Sequence, residues 1–106
     1  MKLINYLDQN LIFVGVKADD KAGLLALLAR RVADRYPDVS PDELRRKLIE
    51  REQAGSTGIG FGVAVPHATV EGLPQTVCML ACTTEGLDFD AIDHRPVRMV
   101  FLLVSP

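Results

Sequence analysis

Residues 51–67 read REQAGSTGIGFGVAVPH, running from Arg51 through a glycine-rich, hydroxyl-bearing segment to His67. A histidine offers a ring nitrogen as nucleophile. Alternate glycines, here Gly58, Gly60 and Gly62, let backbone amides crowd an anion, and a guanidinium grips phosphate in two-pronged geometry. These are the parts of a site at which a histidine carries a phosphoryl group. The stretch also orders the fold around it. Arg51 falls in the last turn of a helix, the glycines form a turn, and Val63-Ala64-Val65 reads as a short strand that delivers Pro66-His67.

Working outward, Ser40-Pro41-Asp42-Glu43 is a capping box with proline at the first helical position. It opens a helix that runs to about Gln53 and buries Leu44 and Leu48. Arg51 alone would read as a solvated charge or a favourable cation at a helix C-terminus. The loop and histidine after it turn the balance toward a phosphate ligand. Upstream again, Asp19-Asp20 start a helix from Lys21 to Tyr36, with Leu24, Leu25, Leu28 and Val32 at helical spacing and Pro37 as the stop. Leu11 to Val16 is a short apolar run that predicts a buried strand, preceded by an amphipathic turn of helix at Lys2 to Asp8. Downstream, Gly72-Leu73-Pro74 is a turn and Thr76 to Thr83 a continuously apolar strand. Asp93-His94-Arg95-Pro96 is a hairpin-like connection into a last buried strand, Val97 to Val104. Helices first and strands later give a mixed α/β class, and all of residues 1–106 read as one domain.

Composition excludes several functions. A net charge of −2, only 6% aromatic residues and no tryptophan leave neither an electrostatic footprint nor stacking surface for nucleic acid. The longest uncharged run, Gln53 to Val70, is glycine-rich and holds a proline and a histidine, so it reads as neither a membrane span nor a secretion signal, and the cytoplasm is the expected location. Gly58-x-Gly60-x-Gly62 matches neither nucleotide-binding glycine pattern. Cys78 and Cys82 lie roughly 13 Å apart in an extended strand and cannot bridge there. They read as small buried thiols, with a reactive thiol or metal ligand as the lesser alternative.

A histidine has an unperturbed pKa of about 6.5, which leaves a neutral ring nitrogen free to attack at neutral pH. Phosphoryl transfer then needs in-line positioning and neutralisation of the equatorial oxygens, which Arg51 and the loop amides, Gly58 among them, would supply. Ser56 or Thr57 would donate a hydroxyl to the phosphoryl oxygens or the imidazole. Both are equally ordinary turn formers. Phe61 and Val63 beside the loop would form an apolar rim on which a carrier protein docks, although Phe61 reads equally well as core.

The arginine sixteen residues before the histidine, the Gly55-Ser56-Thr57-Gly58-Ile59-Gly60 segment between them and the closing Val65-Pro66-His67 carry a specific resemblance. The motif resembles the active site of enzyme IIA domains of the bacterial phosphoenolpyruvate:sugar phosphotransferase system, fructose/mannitol/nitrogen-regulatory class. The resemblance implies a three-layer α/β/α sandwich around a small mixed sheet, with His67 phosphorylated and Arg51 binding the phosphate. It implies the phosphocarrier HPr as donor, a IIB domain or a regulated protein as the next partner, and no cofactor or metal. The alternative function is a regulatory or anion-sensing IIA-like module controlling a transporter or other protein. Family members continue into C-terminal helices that hold an assisting second histidine. This sequence reads as cut off after Ser105-Pro106 and is expected to lack them. His94 is not a substitute, since it stands where the family has a turn residue such as Gly or Asn.

Overall fold

The computed structural model describes Lys2 and residues 5–106. Its elements run β1 (Leu7–Val16), α1 (Lys21–Arg35), α2 (Pro41–Ala54), β2 (Gly58–Gly60), β3 (Val63–Ala64), β4 (His67–Thr69), β5 (Val77–Leu87) and β6 (Val97–Ser105). Both helices start where their caps predict. The Asp20 carboxylate accepts from Gly23 N at 2.7 Å, and Ser40 Oγ accepts from Glu43 N at 3.2 Å, each satisfying an amide that has no partner inside the helix. The apolar stripe of α1 (Leu24, Leu25, Leu28, Ala29, Val32) and that of α2 (Leu44, Leu48) are fully buried. Each such leucine contributes about 1.5–3 kcal/mol by leaving water.

The strands form one mixed sheet in the order β1-β5-β6-β3-β2, with β4 also pairing β6. β5 and β6 are antiparallel, whereas β1 runs parallel to β5, and β3 and β4 run parallel to β6. In that register Val77/Val104, Met79/Leu102 and Ala81/Val100 are paired and buried with the helix leucines in one core. Successive side chains alternate across a sheet, so Cys78/Leu103, Leu80/Phe101 and Cys82/Met99 fall on the opposite face. No helix among the described residues covers that face. Sheet and helices thus form an α/β fold with both helices on one side.

The glycine segment, expected as a turn, forms strand β2 over Gly58–Gly60 before it turns at Phe61 and Gly62. β1, expected to be buried, leaves Ile12 and Val14 exposed because its second face has no covering element among the described residues. Two boundaries differ as well. β1 begins at Leu7, where an amphipathic helical turn was expected. Leu7 joins the ladder opposite Cys78, and Asp8 accepts from the Tyr36 hydroxyl at 2.7 Å and from Arg35 Nε at 3.1 Å, so tertiary partners override the local pattern. Residues 3 and 4 of that expected turn lie outside the described residues. β5 continues past Thr83 to Leu87, which pairs with Val97 beyond an irregularity in the ladder. Both cysteines are free. Cys78 is buried, which pushes its thiol pKa up, and Cys82 is half-buried. His94 adopts φ 59, a left-handed conformation that explains why a glycine or asparagine suits that turn.

Candidate functional site

The centre of the site is set by how α2 lies against β4. Lys47 Nζ donates to the Thr69 carbonyl at 2.7 Å, and one helical turn later Arg51 Nε lies 3.4 Å from His67 Nε2. Four helical residues rise about 6 Å and two strand residues about 6.6 Å, so an antiparallel helix and strand bring both pairs into register. Strand β4 is itself held by β6: Leu103 N donates to the Pro66 carbonyl at 3.0 Å, and His67 is aligned with Leu103. Pro66 breaks the edge between β3 and β4 because it has no amide to donate.

His67 is exposed, and its two ring nitrogens have different partners. Nδ1 lies 3.1 Å from the Val65 carbonyl, which can only accept, and Nε2 faces the Arg51 Nε–H, which can only donate. Both contacts select the neutral tautomer with its proton on Nδ1, leaving a lone pair on Nε2. Arg51 Nη1 donates to the Gly55 carbonyl at 2.8 Å. The guanidinium is therefore anchored at one corner while its Nε faces the ring. A half-buried guanidinium beside an exposed nucleophilic nitrogen can take up a phosphoryl group arriving at that nitrogen.

The remaining expected residues have other first partners. The Ser56 hydroxyl donates to the Phe89 carbonyl and accepts from Gly58 N at 3.0 Å. The Thr57 hydroxyl, buried, donates to the Glu52 carboxylate. Neither hydroxyl is bonded to His67. Gly58 is buried beneath the 88–93 segment, where a Cβ would stand 2.8 Å from Ala91 Cβ, so close packing is what requires glycine there. Phe61 is 93% exposed and held at φ 59, with its amide donating to Asp93 Oδ2 at 2.9 Å. This removes it from the core. The bonds from the Phe61 and Arg95 amides hold the Asp93 carboxyl below its ordinary pKa. Val63 is half-buried and pairs with Met99.

Glu52 was not among the expected site residues. It is 8% exposed, with Lys21 Nζ at 3.0 Å and the Thr57 amide at 3.2 Å. The sequence does carry its signal. Leu44, Leu48 and Glu52 are spaced by four, so the carboxylate falls on the buried stripe of α2 and must find partners there. Among the described residues no three His, Cys, Asp or Glu side chains converge as a metal centre requires. Nor is any helix among them long and apolar enough to cross a membrane.

A family model described as "Phosphoenolpyruvate-dependent sugar phosphotransferase system, EIIA 2" matches residues 5–106. A protein of Haloferax volcanii named PTS system fructose-specific EIIA component is 38% identical over 82 residues, covering 77% of this chain and 49% of the relative. A nitrogen regulatory protein of Pseudomonas aeruginosa is 33% identical over 93 residues, covering 88% of this chain and 60% of the relative. The crystal structure of nitrogen regulatory protein IIA-Ntr from Neisseria meningitidis superposes with a TM-score of 0.86 at 31% identity, covering 97% of this chain and 70% of that one. The chain thus spans about half to three-fifths of the length of these curated relatives.

Proposed function

Because the chain belongs to the EIIA 2 family of the phosphoenolpyruvate-dependent sugar phosphotransferase system, we propose that it is a histidine phosphocarrier whose His67 Nε2 accepts a phosphoryl group from phospho-HPr. The observation that carries this reading is the Arg51–His67 pair, with Nε2 unprotonated and a guanidinium 3.4 Å away. The Nε2 lone pair forms the new P–N bond as the bond from phosphorus to the donor breaks, and that electron pair leaves with the donor. The proton stays on Nδ1 throughout, hydrogen-bonded to the Val65 carbonyl, so the attack requires no proton transfer at Nε2. Arg51 turns its N–H groups from the ring to the phosphoryl oxygens, offsetting charge that builds in the transition state.

In the same reading Ser56, the less buried of the two hydroxyl residues, exchanges its Phe89 partner for a phosphoryl oxygen, while Thr57 and Gly58 hold the loop in shape around the anion. Phe61 and Val63 form the apolar contact for the donor, and the strained, exposed presentation of Phe61 supports this. The onward step goes to a IIB component, in the cytoplasm. Two of the similar proteins bear the name nitrogen regulatory protein, which favours a second version in which phosphorylated His67 is itself the signal to a protein partner. Phosphorus NMR of the protein after incubation with phosphoenolpyruvate, enzyme I and HPr tests the chemistry. The reading predicts a phosphoramidate resonance of an Nε2 adduct, and an Nδ1 adduct or none contradicts it. Transfer of label to a IIB cysteine then separates the transport version from the regulatory one.

A further inference from the structure

We infer that Glu52 is a positioning residue for the Arg51–His67 pair and acts through Thr57. The carboxylate accepts from the Thr57 amide at 3.2 Å and from its hydroxyl, while Lys21 Nζ, at 3.0 Å, supplies the countercharge that its burial demands. Lys21 also donates to the Phe89 carbonyl at 3.1 Å, the same carbonyl that accepts from the Ser56 hydroxyl. The start of α1, the end of α2 and the loop after it therefore meet at one ionised group.

From Thr57 and its loop two routes lead to the site. The Thr57 carbonyl accepts from Val65 N at 2.9 Å, and the Val65 carbonyl is the partner of His67 Nδ1 at 3.1 Å. On the other side Gly55, two residues before Thr57, offers its carbonyl to Arg51 Nη1 at 2.8 Å. Its own amide donates to the Glu52 carbonyl at 3.2 Å. With the 3.4 Å contact between Arg51 and His67 the ring closes. Glu52 follows Arg51 directly in the chain, yet its carboxylate reaches His67 through Thr57, by Val65 on one side and by Gly55 and Arg51 on the other. Loosening Thr57 lets the Val65 carbonyl drift from Nδ1, so the imidazole loses the contact that keeps its proton there, and Gly55 no longer pins the guanidinium. Among the described residues the Glu52 side chain accepts hydrogen bonds from Thr57 and from Lys21 alone.

The inference rests on the phosphohistidine reading for the reaction it serves, but its structural readout does not. The test compares the wild-type chain with Glu52→Gln, Glu52→Ala and Thr57→Val, using Leu25→Ala as a control that weakens the core without touching this ring. Nitrogen NMR reports the tautomer of neutral His67. The wild type and Leu25→Ala should hold the proton on Nδ1. Glu52→Ala should shift the population toward Nε2–H, and Glu52→Gln and Thr57→Val should shift it less. The initial rate of phosphorylation by phosphoenolpyruvate, enzyme I and HPr should fall in the same order, by up to about 100-fold, the effect of misplacing a reacting group by about 1 Å. Should Glu52→Ala not fold, Glu52→Gln and Thr57→Val carry the comparison. Folded variants with the wild-type tautomer overturn the inference. A wild type that keeps the Nδ1–H tautomer but takes no phosphoryl group defeats the carrier reading alone.

Discussion

Arg51 reaches His67 across a helix–strand contact whose register is set one turn earlier, where Lys47 bonds the Thr69 carbonyl. The arginine's Nε faces the one ring nitrogen that lacks a proton. In the proposed reaction that arrangement would set a fixed positive charge where a phosphoryl group brings negative charge, with the Nε2 lone pair already free.

Replacing Arg51 should therefore slow acceptance more than it weakens docking. Arg51→Ala is expected to lower the phosphorylation rate by about 100-fold or more, the effect of deleting one preorganised transition-state donor, with little change in KM for phospho-HPr. Arg51→Lys should recover only part of this, since an ammonium cannot serve Gly55 and the phosphoryl oxygens with a rigid fork. A rapid-quench time course checks both.

Phe61 should give the opposite kinetic signature. Its ring is exposed and its backbone is held in place by Asp93, so truncation removes surface without removing core. Phe61→Ala is expected to raise KM for phospho-HPr about tenfold, or about 1.4 kcal/mol, with kcat and thermal stability nearly unchanged. An unchanged KM would remove Phe61 from the docking surface.

Gly58 is a packing position, and its substitution should register as lost stability. A Cβ there would stand 2.8 Å from Ala91 Cβ and 3.0 Å from Ala91 Cα, forcing the 88–93 segment away. Gly58→Ala is expected to destabilise the protein by about 1–3 kcal/mol, the usual range for overpacking, measured by urea unfolding.

How far the sequence disclosed this molecule depends on the range of the forces involved. Helix caps are local, and Asp20 and Ser40 announced both helix starts. The Arg51–His67 pair was legible because its spacing spans one helix end, one turn and one strand. What escaped was set by distant partners. β1 begins at Leu7 because β5 lies beside it and Tyr36 holds Asp8. The Ser56 and Thr57 hydroxyls, expected near the phosphate, also have partners in Phe89 and Glu52 that local spacing does not disclose. Glu52 drew no expectation, although its spacing of four from Leu48 and eight from Leu44 sets it on the buried stripe of α2.

The Asp8–Tyr36 contact should limit stability at both ends of the pH range. Burial raises the Asp8 pKa, but the Tyr36 hydroxyl, the Asn10 amide and Arg35 outweigh it and leave the pKa below its ordinary 3.8. Stability from this carboxylate is present above pH 3.8 and is lost as pH falls through the lower folded value. Burial and the bond to Asp8 raise the Tyr36 pKa above 10.0, so its contribution is present below pH 10.0 and is lost as pH rises through the folded value. Urea unfolding across pH should show both limbs, with Asp8→Asn flattening the acid one and Tyr36→Phe the alkaline one.

The most direct test of the central claim is the intact mass of the protein after incubation with phosphoenolpyruvate, enzyme I and HPr, comparing wild type with His67→Ala. The account predicts a single acid-labile phosphoryl group on the wild type and none on the variant. Equal phosphorylation of both, or none on a folded wild type, would contradict it.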